Sequence, residues 1–191
     1  MLRSLSTTAK GLAAALFLAV PVAVEAAAGR EGGVAGELGF SVTQLVGWSL
    51  ALSVCRDLTA ATTPGSRAAR IGSAVVRAGC WLELAFATVY GLTLAATGEA
   101  FEGAFVAFLL GFLCLLVGGV TWGVALRRQG SSRVAATGLL LLAVLGLLAM
   151  VVERDPFHDV ALIASYACWA VVGRGVAGRR AEDPARVEAV A

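Results

Sequence analysis

Residues 77–96 read RAGCWLELAFATVYGLTLAA, an apolar run from Arg77 to Ala96 with one acid, Glu83, well inside it. At 1.5 Å of rise per residue a helix of this length covers about 30 Å, the thickness of a bilayer's hydrocarbon core. Such a stretch is too long and too apolar for the buried helix of a soluble domain, so it reads as a transmembrane span. Five further apolar runs flank it, and together they set the fold class. The chain is expected to be all-α, a polytopic transmembrane helical bundle forming one domain over residues 1–176, followed by a disordered tail at 177–191.

Composition agrees. Apolar residues make up 59% of the 191-residue chain and charged residues 15%, against roughly 25% charged in an average soluble domain. Mean hydropathy is +0.84. The four cysteines, Cys55, Cys80, Cys114 and Cys168, fall in or at the end of apolar runs. They read as small packing residues with no disulfide between them. Fourteen of the 15 basic residues are arginine, and with the Ala, Gly and Val content this points to a GC-rich bacterial genome. A net charge of +2, with the arginines dispersed among loops, is too small to imply nucleic acid, and none is expected as a partner.

The spans are expected at about 11–28, 38–55, 71–96, 103–126, 134–152 and 156–176. Two of them carry alternatives. The first follows a basic stretch (Arg3, Lys10) and ends at Ala26-Ala27-Ala28, the layout of a cleaved secretory signal. It is also nearly long enough to cross a bilayer, and retention is the preferred reading; cleavage would leave five helices. The sixth has an uninterrupted apolar core of only 160–173, but Asp155 as N-cap and Pro156 at the first helical position extend it to spanning length.

Orientation follows from the basic residues. Thirteen of the 15 fall before span one, between spans two and three or at the mouth of span three (Arg77), between spans four and five, or at the end of span six (Arg174) and beyond, and only Arg30 and Arg154 fall in the alternate connections. Those connections are acidic, with Glu31, Glu37, Glu99, Glu102, Glu153, Asp155 and Asp159. By the positive-inside rule both termini are cytoplasmic, in the cell membrane of a bacterium. Trp81, Trp122 and Trp169 lie toward the cytoplasmic ends of their spans and are expected to form an interfacial belt. No internal repeat is visible.

Few polar groups remain to carry a function. Glu83 should lie roughly 8 Å into the hydrocarbon, where a charged side chain costs about 2.5–3.5 kcal/mol. Arg77, six residues earlier, is rotated away from it and cannot pair with it within the helix. Cys80 and Tyr90 share the face of Glu83, and this face is expected to look into the bundle. Ser49, Thr121, Thr137, Tyr166 and Cys168 stand at similar depth and could complete a polar layer. Glu83 and Tyr90 are the candidates for proton or substrate coupling. Span four carries Gly111, Gly118, Gly119 and Gly123, including a GxxxG match at 119–123. These are helix-packing candidates, because small residues let backbones approach.

No nucleotide-binding, hydrolase or metalloprotease motif occurs, and an enzyme is the least expected class. His158 stands near Asp155 and Asp159, but N-capping and a solvated loop account for that cluster without a metal. One histidine also excludes bis-His haem, so neither metal nor cofactor is expected. The partners are the lipid bilayer and, through lateral contacts, other membrane proteins or a second copy. The leading expectation is a structural or regulatory membrane protein acting through such contacts. The alternative is a transporter or channel unit that uses Glu83.

Overall fold

The computed structural model describes residues 6–28, 33–62, 65–152 and 157–182. Among them are six helices: α1 (Thr7–Ala28), α2 (Gly33–Ala61), α3 (Arg67–Thr97), α4 (Ala104–Arg128), α5 (Arg133–Val151) and α6 (Phe157–Glu182). Each is long and apolar enough to cross a membrane. Helix boundaries follow local chemistry. Ser66 caps α3 by accepting the Ala69 N–H at 3.1 Å, and Ser132 caps α5 by accepting that of Ala135 at 3.3 Å. Gly98, in the left-handed region at φ 74°, ends α3 and returns its N–H to the Leu94 carbonyl, a conformation that costs a residue without Cβ little. Inside the helices, hydroxyls donate to carbonyls one turn back, as Thr88 does to Leu84 and Thr121 to Val117, both at 2.7 Å. That satisfies them without a partner helix.

The helices close into a ring. Each packs on its neighbours in sequence, α6 packs back on α1, and α2 also touches α6 across the middle. Contacts between opposite ends of successive helices show that neighbours run antiparallel: Lys10 meets Asp57, Glu37 meets Tyr90, and Ser132 meets the Gly175 carbonyl. The α2–α6 contact divides the ring into a three-helix unit (α1, α2, α6) and a five-helix unit in which α3, α4 and α5 complete the wall.

Glycines set the closest seams. A Cβ on Gly11 would come within 2.9 Å of Gly173 Cα, and one on Gly118 within 2.7 Å of the Val76 nitrogen. Neither distance is compatible with a side chain, so α1 against α6 and α4 against α3 pack backbone to backbone. Aromatic rings fill the remaining volume: Trp48 meets Tyr166 and Trp169 edge to face at 5.8 and 6.4 Å, a favourable geometry.

Several expectations need correcting. α2 and α3 extend beyond the anticipated spans at both ends, which puts Glu37 on a helix instead of in a connection. The tail expected from 177 continues as helix to Glu182. The tryptophan belt is not formed by three residues: Trp81 is 56% exposed, but Trp122 and Trp169 are buried at 1% and 0%. Their rings are large enough that filling the bundle interior outweighs an interfacial position. Asp155 and Pro156, expected to start the sixth helix, lie outside the described residues.

Candidate functional site

α3 turns one face into the five-helix unit. Along it, Cys80 and Glu83 are buried at 0% and 1%, and Phe86 and Ala87 continue the buried stripe. The i, i+3, i+7 spacing of Cys80, Glu83 and Ala87 is the periodicity that keeps side chains on one side of a helix. The opposite face, with Trp81, Val89 and Leu92, is exposed and apolar.

The Glu83 carboxyl fits against α4 at Gly111. A Cβ on Gly111 would stand 2.9 Å from Glu83 Oε1 and 3.2 Å from its carboxyl carbon. The absent side chain of Gly111 is therefore the space that the acid occupies. Cys80, one turn before Glu83, is buried in the same core cluster as Cys55 of α2 and Tyr166 of α6. Phe112 and Leu115, which follow Gly111 on α4, line a cavity of about 10 Å³ together with Trp48, Leu116, Leu142, Ser165, Tyr166 and Trp169. That is about the volume that one water requires.

The site has an unusual hydrogen-bond balance. Glu83 Oε1 is buried without a hydrogen-bond partner, and so is Trp169 Nε1. None of the residues considered for a polar layer bonds to the carboxyl. Thr121 donates to its own helix, Cys168 donates to Ala164, and Thr137 points outward. The sequence located the acid, but depth along a helix does not specify rotation about it. Arg77 is turned away as anticipated, and its Nε donates to Ser73 at 3.3 Å.

Tyr90 is not part of this site. It lies two turns farther along α3, half-buried, and donates to Glu37 Oε2 on α2 at 2.7 Å. Sharing a face with Glu83 has aligned it with a different neighbour, because the start of α2 packs there. Among the packing candidates, Gly111 faces Glu83 and Gly118 faces Val76, whereas a Cβ on Gly119 or Gly123 would stand 3.1 Å from the Leu139 or Ala136 carbonyl oxygen of α5. The four glycines thus divide between two seams on opposite sides of α4.

Two polar connections escaped sequence reasoning. Lys10 on α1 is buried and pairs with Asp57 on α2 at 2.9 Å, and Thr7 also donates to Asp57 at 2.9 Å. Gln44 on α2 donates to the Leu18 carbonyl of α1 at 3.4 Å and accepts the Trp48 indole N–H at 3.0 Å. Polar residues inside apolar runs were the available signal, but the partners are distant in sequence. His158 has Nδ1 2.6 Å from the Ala149 carbonyl; an oxygen of that kind only accepts, so Nδ1 carries the proton. Among the described residues, no three of His, Cys, Asp and Glu gather in a way that could hold a metal. The chain matches no family model, no curated protein and no solved structure.

Proposed function

We propose that this chain is a multi-pass protein of the bacterial cell membrane, with six helices crossing and both termini cytoplasmic, that works as a proton-coupled transport or channel unit through Glu83. The 13 to 2 division of basic residues between alternate connections supports the orientation. Retention of α1 is supported by its place in the ring: Ala14 and Leu18 are fully buried, and Gly11 is pressed against α6.

One observation carries the functional reading. Glu83 is 1% exposed, and its Oε1 has no hydrogen-bond donor. A carboxyl kept only for packing would be expected to bond across a seam, since a buried polar atom without a partner costs about 1–3 kcal/mol. A carboxyl kept for exchanging a proton must avoid being locked in one state. With no fixed countercharge beside it among the described residues, gain or loss of one proton changes the local charge by a full unit, and in a low-dielectric interior that biases helix packing strongly.

A structural or regulatory role through contacts with other membrane proteins is the second reading. The space beside the site, about 10 Å³, favours it, because a solute needs far more room unless the helices part. The two readings separate in liposomes. Under an imposed pH gradient, the purified protein should dissipate the gradient, as followed by an entrapped pH-sensitive dye, and Glu83→Gln should not. If parent and variant both match empty liposomes, proton coupling is refuted and stoichiometric copurification with another membrane protein becomes the relevant measurement.

A further inference from the structure

The reversal between α4 and α5 is built from the sequence Arg127-Arg128-Gln129-Gly130-Ser131-Ser132-Arg133. Gly130 takes the left-handed conformation at φ 63°. The Ser131 N–H then returns to the Leu126 carbonyl at 3.2 Å, and the Gly130 N–H to that of Arg127, also at 3.2 Å. These are the two bonds of a Schellman motif, which ends a helix and turns the chain sharply back. Ser132 caps the next helix at once. The outcome is that Arg127, in the last turn of α4, and Arg133, at the start of α5, stand on either side of one crevice. Its volume is about 500 Å³, and it is lined by Arg127, Arg133 and Thr137.

Three features give the crevice a chemistry. Both arginines are exposed, and among the described residues neither pairs with a carboxylate, the ion pair there being Lys10–Asp57. Thr137, one turn after Arg133 on the same face, makes no hydrogen bond to its own helix, unlike Thr88, Thr93 and Thr121. Its hydroxyl has no partner among the described residues. Farther along the two helices the exposed side chains include Val117 and Val120 on α4 and Leu141 and Val144 on α5.

We propose that this crevice is a binding site for an anionic phospholipid, with Arg127 and Arg133 donating to the headgroup phosphate, Thr137 donating from below, and the acyl chains lying along the exposed α4–α5 surface. Guanidinium groups match a phosphate in geometry as well as charge, and basic pockets between helices at a membrane surface select anionic headgroups. A soluble phosphate ester would satisfy the arginines but leave the apolar surface beneath uncovered, which favours the lipid as the source of the phosphate. The site is independent of Glu83 and of the function assigned to it.

Native mass spectrometry of the intact chain in mild detergent tests this, titrated with phosphatidylglycerol, with phosphatidylcholine of the same acyl chains, and with glycerol phosphate. The parent should retain one phosphatidylglycerol in preference to phosphatidylcholine. Because each arginine near a membrane surface is worth about fivefold in affinity, Arg127→Gln with Arg133→Gln should weaken retention on the order of 30-fold. Thr137→Val should weaken it about fivefold. The control pair Arg67→Gln with Arg70→Gln, which removes the same charge from exposed positions on α3, should leave retention unchanged. Equal losses in the control pair would mean diffuse surface charge and overturn the site. Equal retention of phosphatidylcholine, or displacement of the lipid by millimolar glycerol phosphate, would overturn the assignment to an anionic lipid.

Discussion

Gly111 on α4 has no side chain at the point where the Glu83 carboxyl of α3 ends: a Cβ there would lie 2.9 Å from Oε1. The acid and the glycine form one feature, a buried carboxyl and the slot that admits it. Gly111→Ala should therefore act on Glu83 directly. Overpacking of this kind costs about 1–3 kcal/mol, and the melting temperature in detergent should fall accordingly. Combining Gly111→Ala with Glu83→Ala should give a smaller loss than the sum of the two single changes, because the second substitution removes the atoms with which the first collides. Strict additivity would mean that the two do not meet.

Glu83→Leu should fold at least as stably as the parent. No donor among the described residues bonds to the buried oxygen, so removing the carboxyl leaves none of them unsatisfied and relieves the burial of a polar group, worth about 1–3 kcal/mol. A gain in thermal stability together with loss of proton flux would be the signature of an acid retained for function at a cost in stability. A clear fall in melting temperature would instead show that the carboxyl holds the bundle together.

The Lys10–Asp57 pair ties the beginning of α1 to the end of α2, with side chains 8% and 18% exposed. Asp57→Asn should destabilise the protein by roughly 2 kcal/mol, since it leaves the Lys10 ammonium buried without its counterion. Joint replacement by Lys10→Met and Asp57→Leu should recover much of that loss, because apolar pairs often substitute for buried ion pairs without penalty. Thermal melts of the three variants decide the point.

If α1 is retained, the intact mass of the membrane-extracted protein should include residues 1–28, and Gly173→Leu, which would force a side chain into the α1 backbone, should prevent stable folding. A mature chain beginning near Gly29 would refute retention and leave Leu18's contacts in the bundle without an occupant.

Reporter fusions check orientation. Alkaline phosphatase fused after Arg128 or at the C-terminus should be inactive if, as proposed, both sites are cytoplasmic. Activity at either site would reverse the topology.

The sequence alone determined the class and the register of this protein. Lipid cannot hydrogen-bond a backbone, so long apolar runs must be helices, and their number, approximate bounds and the oddity of Glu83 could all be read from hydropathy and charge. It also determined the turns, since Gly98, Gly130 and the serine caps act within a few residues of themselves. The ring order, the buried positions of Trp48, Trp122 and Trp169, the Lys10–Asp57 pair and the slot at Gly111 were decided only by the tertiary structure. The reason is rotation. An apolar run fixes the length of a helix but barely marks which face is inward when lipid and protein interior are equally apolar. Tyr90 shows the consequence: it shares a face with Glu83, yet two turns along the helix that face meets Glu37 on α2 instead of the cluster around Gly111 on α4.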